Sequence, residues 1–270
     1  MHRRDVLRLG LAAAGLAALP SCVTSEGPGP EVQTISYGDD PAQGAELSRP
    51  DGTSRGVVVV IHGGFWRQEY DLSLGRPLAA ALVAGGWTAW NLEYRRVGGG
   101  GGFPATFDDV SAGIDALADV PGLDLSTVVT LGHSAGGHLA VWAAGRSGTE
   151  RWADVRVPVT AAVSQAGVLD LAAGERLGGG AVRDLLGDEP VSREVDPLGQ
   201  VPLDVPVRCV HAPDDPLVPI EQSETYVAAA RAAGADAALV RVDGGHFDVI
   251  DPGSDAWASI EATIADVVAR

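Results

Sequence analysis

The sequence of 270 residues contains no lysine; all 19 of its basic residues are arginine. That absence excludes Schiff-base chemistry and a P-loop, because both need the lysine ammonium. Basic charge is scarce overall, since 36 acidic residues leave a formal net charge of −17. Nucleic-acid binding requires cations that neutralise phosphate, and anionic membrane surfaces repel such a chain, so neither is an expected partner. Cysteine is nearly missing, with Cys22 and Cys209 alone. Cys209 lies in the strand-like Val207-Arg208-Cys209-Val210 and reads as an inert buried thiol. No His-Glu-x-x-His motif or Cys/His cluster occurs, so no metal and no cofactor are expected.

What is present is apolar and glycine-rich: 46% hydrophobic residues, 20% charged and 36 glycines. Short Val-rich runs alternate with Ala-rich amphipathic stretches, the pattern of a parallel sheet covered by helices. The length suits one large α/β domain with a sizeable core. The N-terminus stands outside it. Arg3-Arg4-Asp5-Val6-Leu7-Arg8 reads as a twin-arginine start, and Leu9 to Leu19 has the length of a signal-peptide apolar region. Residues 1–21 are therefore expected to be a signal peptide and 22–31 a flexible tether, with 32–270 forming the domain. Leu19-Pro20-Ser21-Cys22 resembles a bacterial lipobox, although Pro20 is unusual there, making Cys22 a candidate lipidation site and membrane tether. Loss of residues 1–21 removes three arginines and one aspartate, taking the charge from −17 to −19. The expected location is extracytoplasmic.

The chemistry centres on Val128 to His138. A β-branched run ends in Gly132-His133-Ser134-Ala135-Gly136, and Leu139 to Ala144 follows at helical spacing. A lone Gly-x-Ser-x-Gly is weak evidence in so glycine-rich a chain. Between a strand and a helix it becomes a nucleophile elbow, with Ser134 on a sharp turn where flanking side chains would clash. Upstream, the buried run Gly56 to Ile61 leads straight into His62-Gly63-Gly64-Phe65-Trp66. A His-Gly-Gly turn after a central strand is the kind of loop that directs backbone N–H groups into an oxyanion hole. Gly63, Gly64, Phe65 and Ala135 are the candidate donors, and His62 reads as a structural loop residue.

These motifs resemble the α/β-hydrolase esterases, and more narrowly the branch of kynurenine formamidases and feruloyl-esterase-like carboxylesterases. Asn91 to Arg96, Phe103-Pro104-Ala105 and Asp108-Asp109-Val110 share in that resemblance. It implies a mostly parallel central sheet of about eight strands with helices on both faces. It also implies a cap over the site at the irregular stretch around residues 165–200, where a Gly178-Gly179-Gly180 break falls. The similar family loop His-Gly-x-x-Asp-x-x-Val-Pro aligns the acid with Asp215, four residues after His211 and before Val218-Pro219; Ala212 departs from the glycine, and Asp214 is the rival. His246 sits in a glycine-flexed loop after the last strand pattern, completing the order serine, acid, histidine. His133, His138 and His211 read as packing or loop residues, with His133 and Trp66 also candidates for the pocket wall. Glu93-Tyr94-Arg95 and Asp109 read as structural, and the five glycines from 98 to 102 as a mobile rim loop.

The resulting expectation is an exported serine hydrolase acting on a small-molecule ester or amide by a Ser134–His246–Asp215 mechanism. An arylformamidase and a catalytically inactive binding module are the alternatives.

Overall fold

The computed structural model describes residues 31–269. The expected signal peptide, Cys22 and nearly all of the tether lie outside the described residues.

Eight strands form one sheet: β1 (Val32–Ser36), β2 (Gly44–Ser48), β3 (Val57–Ile61), β4 (Thr88–Leu92), β5 (Val128–His133), β6 (Ala161–Gln165), β7 (Val207–His211) and β8 (Ala237–Arg241). Their spatial order is β1-β2-β4-β3-β5-β6-β7-β8, antiparallel at the β1/β2 and β2/β4 pairs and parallel elsewhere. The Val57-to-Ile61 run shows why the central strands read as unbroken apolar stretches. Val57, Val59 and Ile61 enter one core cluster while Val58 and Val60 enter another on the opposite face. Both faces are covered, so both side-chain registers must be apolar. Helices α1 (Arg76–Ala84), α2 (Ala105–Asp115), α3 (Ala135–Gly145), α6 (Glu221–Ala232) and α7 (Asp255–Val268) connect or close the sheet. α3 is buried along nearly its whole surface, which accounts for its lack of amphipathic pattern.

The sixth strand departs from the sequence expectation. The apolar run Val157 to Val163 predicts a strand, but pairing starts only at Ala161. Pro158 has no N–H to donate, and the Val157 N–H is taken at 3.0 Å by the Asp115 carboxylate, which also accepts from buried Arg146 at 2.9 Å.

The stretch between β6 and β7 carries α4 (Ala181–Leu186), α5 (Pro197–Gln200) and a short 3-10 segment over Ala173–Gly179. It is docked on the domain by buried Leu171, Val182, Leu185 and Val195. His138 Nε2 and Trp142 Nε1 on α3 donate to the carbonyls of Val195 and Glu194, each at 2.8 Å. Arg67 reaches it from the β3 side, donating to Gly178 O at 2.8 Å and to Asp184 at 3.0 Å. The five-glycine run, expected to be mobile, is a hydrogen-bonded turn. Gly99 and Gly101 N–H both donate to Arg96 O, and Gly102 N–H donates to Thr106 Oγ1. Gly98, Gly100 and Gly102 have positive φ, a shape that glycine adopts at little cost.

Candidate active site

Ser134 joins β5 to α3 at φ 54° and ψ −116°, a strained conformation for a residue with a side chain. Neighbouring backbone holds it there: its N–H donates to Gln165 O at 2.8 Å, and its carbonyl accepts from His138 N–H at 3.1 Å. The flanking glycines have the steric reason that the motif predicts. A Cβ on Gly132 would lie 2.0 Å from Gly136 O, and one on Gly136 would lie 2.0 Å from Ile61 O. The turn is thus pressed between its own helix and β3. Ala135 opens α3, so its N–H has no acceptor within the helix.

The loop after β3 meets this turn. A Cβ on Gly63 would stand 2.7 Å from His133 O and 3.3 Å from Ser134 Cβ, so Gly63 lies directly against the elbow. Gly64, Phe65 and Trp66 follow with φ of 111°, 54° and 57°. Among the described residues, the N–H groups of Phe65 and Ala135 donate to no protein acceptor. His62 lies beneath, its Nδ1 2.8 Å from Gly63 O and its Nε2 2.9 Å from Glu93 Oε1. Tyr94 stacks on it at 4.5 Å. Glu93 also accepts from Leu72 N–H and Arg96, and Asp109 holds Arg95 at 2.7 Å. These charges thus pair with one another and with backbone groups beneath the loop.

The candidate acid and histidine come from the loops after β7 and β8. His246 Nδ1 lies 2.7 Å from Asp215 Oδ2. The other Asp215 oxygen accepts the N–H groups of Leu217 and Val218 at 2.8 and 3.0 Å. His211 Nε2 stands 3.4 Å from Oδ2. Burial pushes the Asp215 carboxyl upward, but the hydrogen bonds from His211, His246 and the two amides outweigh it and hold the group well below the usual carboxylate range. Asp214, the rival, is exposed. Since a carboxylate can only accept, His246 carries a proton on Nδ1, and in the neutral ring Nε2 is then the lone-pair nitrogen.

Trp66 and His133 do not line an open pocket. Trp66 is 2% exposed and turns into the core cluster beneath its loop, because consecutive positive φ values reverse the chain there. His133 lies under the His246 loop, with Nε2 donating to His246 O at 2.8 Å and the two rings 4.5 Å apart. Burial and the adjacent His246 push His133 down to about 3, so it is neutral and serves as a brace. His211 is a contact that sequence reasoning left as packing; its place four residues before Asp215 was the available signal. A surface groove at the β1 edge, lined by Tyr37, Arg49, Asp119 and Arg156, contains none of these residues.

The residues 47–229 match the BD-FAE family. The chain belongs to that family. The matched BD-FAE region holds the elbow, the Gly63–Phe65 loop and Asp215, and ends before His246. A curated relative, Esterase LipC of Mycobacterium tuberculosis, is 27% identical over 243 residues, covering 80% of this chain. The chain spans only 60% of that relative's length. Among solved structures, Esterase B from Lactobacillus rhamnosis superposes with a TM-score of 0.77 at 19% identity, covering 90% of this chain and 86% of that one. Esterase 2 of Thermogutta terrifontis, phosphonylated by sarin, gives a TM-score of 0.73 at 23% identity, covering 88% and 94%. A truncated carbohydrate esterase from gut microbiota gives 0.74 at 18% identity, covering 90% and 99%. The fold of this BD-FAE member is that of the α/β-hydrolases.

Proposed function

We propose that this BD-FAE member is a serine carboxylesterase. One observation carries the reading: a buried carboxylate, 2.7 Å from His246 Nδ1, fixes the imidazole tautomer on the same sheet crest as a serine held in a strained elbow. In this reading Ser134 Oγ attacks the ester carbonyl and His246 Nε2 accepts its proton. The tetrahedral oxyanion forms against the N–H groups of Ala135 and of the Gly63–Phe65 loop. His246 then returns the proton to the leaving alkoxide, and water, activated the same way, hydrolyses the acyl-enzyme. Asp215 stays ionised throughout and stabilises the transient imidazolium. The esterase names of the relatives support the substrate class, and the acyl and leaving groups follow from assay. Fluorophosphonate is expected to label the wild-type chain and not Ser134→Ala, whose melting temperature stays near wild type. Labelling of the Ser134→Ala chain would place the nucleophile elsewhere. Parallel assays of aryl acetates, feruloyl esters and N-formylkynurenine separate ester from formamide preference.

Export belongs to the same proposal. Arg3-Arg4 would direct the chain through the twin-arginine route, and Cys22 would carry the lipid that tethers it. Replacing both arginines with lysine is expected to retain the chain in the cytoplasm, and Cys22→Ala to release it from the membrane fraction. Normal export of the double-lysine variant would remove the twin-arginine reading.

A further inference from the structure

Two buried polar atoms beside the candidate site have no use in the reaction described above. Trp66 Nε1 and His138 Nδ1 are both shielded from solvent, and neither has a hydrogen-bond partner among the described residues. Their rings meet edge to face, with centroids 5.3 Å apart and planes at 89°. They are chemically complementary. An indole nitrogen can only donate, while His138 Nε2 already donates to Val195 O at 2.8 Å, which leaves Nδ1 as an acceptor. Burial pushes His138 down to about 4, so the ring keeps that neutral tautomer in ordinary buffers. Leaving a donor and an acceptor on adjoining rings both unsatisfied in a core is costly, and joining them removes both penalties.

The two residues belong to segments whose alignment matters. Trp66 ends the loop that presents the Phe65 N–H, and its φ of 57° follows a φ of 54° at Phe65. Two successive non-glycine residues in that region persist only if their surroundings hold them. Outside the Trp66 ring, the loop is held by Arg67 N–H on Gly64 O and Val97 N–H on Trp66 O. His138 is on α3, one turn beyond Ser134, and reaches Val195 of the stretch between β6 and β7. We propose that Trp66 and His138 are positioning residues, their indole N–H and imidazole Nδ1 bridged by one enclosed water that holds the oxyanion loop on the nucleophile helix. The proposal rests on the esterase reading for its catalytic consequence, though the link itself does not.

The test uses the full chain in two measurements. In ¹⁵N NMR, Trp66→Phe is expected to move the His138 Nδ1 resonance toward that of an unbonded imidazole nitrogen. An unmoved resonance overturns the link whether or not the chain hydrolyses any ester. In kinetics with an aryl acetate, Trp66→Phe and His138→Leu are each expected to lower kcat by about tenfold to a hundredfold, the scale of a misplaced oxyanion donor, with KM within about twofold. The double variant is expected to lose no more than the worse single one, because both remove one interaction. His138→Gln, which can donate to Val195 and accept from the bridging water, is expected to recover most of kcat. Additive losses, or losses that track melting temperature with no recovery in His138→Gln, show packing alone and overturn the positioning role. A wild-type chain that neither hydrolyses ester nor takes fluorophosphonate sinks the esterase reading, and NMR still decides the link.

Discussion

The two halves of the candidate site are built in opposite ways. On the β7/β8 side both Asp215 oxygens are engaged, Oδ1 by two backbone amides and Oδ2 by His246, while His211, bonded to Val218 O, stands 3.4 Å from Oδ2. On the β3/β5 side the Phe65 and Ala135 N–H groups donate to no acceptor among the described residues. The difference follows from when charge is present. Asp215 is ionised in the resting protein and buried, so its hydrogen bonds must already exist. On the esterase reading an oxyanion exists only during turnover, and donors already occupied by protein could not stabilise it. The first half is held by bonding, the second by steric confinement and backbone strain.

This contrast predicts which damage is largest. Asp215→Asn removes the charge that sets the His246 tautomer, and kcat is expected to fall by about 10⁴. Asp214→Asn, on an exposed neighbour, leaves steady-state kinetics near wild type. The reverse ranking would move the acid and dissolve the contrast. The unpartnered half breaks through shape. A Cβ on Gly64, at φ 111°, would come within 2.4 Å of Tyr70, so Gly64→Val displaces the loop. Its kcat is expected to drop by about 10²–10³, the scale of one lost oxyanion donor. Activity near wild type would show that this loop does not feed the hole.

The smallest effect is on stability, and pH reads it. Asp215 has a lowered folded pKa, so the unfolded chain binds its proton first. The stabilisation is complete above about pH 4 and declines as pH falls from there. Buried His133, pushed down to about 3, has the same sign with a higher onset, losing stability below about pH 6.5, where the unfolded imidazole protonates. Urea unfolding between pH 3 and 7 is expected to show Asp215→Asn less stable than wild type at neutral pH, with the gap closing toward pH 3. A gap independent of pH would mean that the side chain acts by packing.

Local patterns were legible wherever a local cause produced them. The strand β3, the elbow and the glycine turn after β3 follow from steric rules within a few residues, and Gly132 and Gly136 are glycines for contacts that the motif implies. The strand boundary at β6 was not legible, because a carboxylate on α2, Asp115, takes the Val157 N–H. Neither were the roles of Trp66 and His133. Both looked like pocket residues from their place beside the motifs, yet two positive φ values and the His246 carbonyl turn them inward.

The sequence by itself determined the alternation of elements, the α/β fold class and the order serine, acid, histidine, because burial period, turn sterics and chain order are written locally. Only the tertiary structure decided that Asp215 and His246 meet, that His133 braces the His246 loop, and that the stretch between β6 and β7 is docked on α3. Those outcomes depend on residues far apart in sequence meeting at 2.7–2.8 Å, and no local pattern encodes such distances.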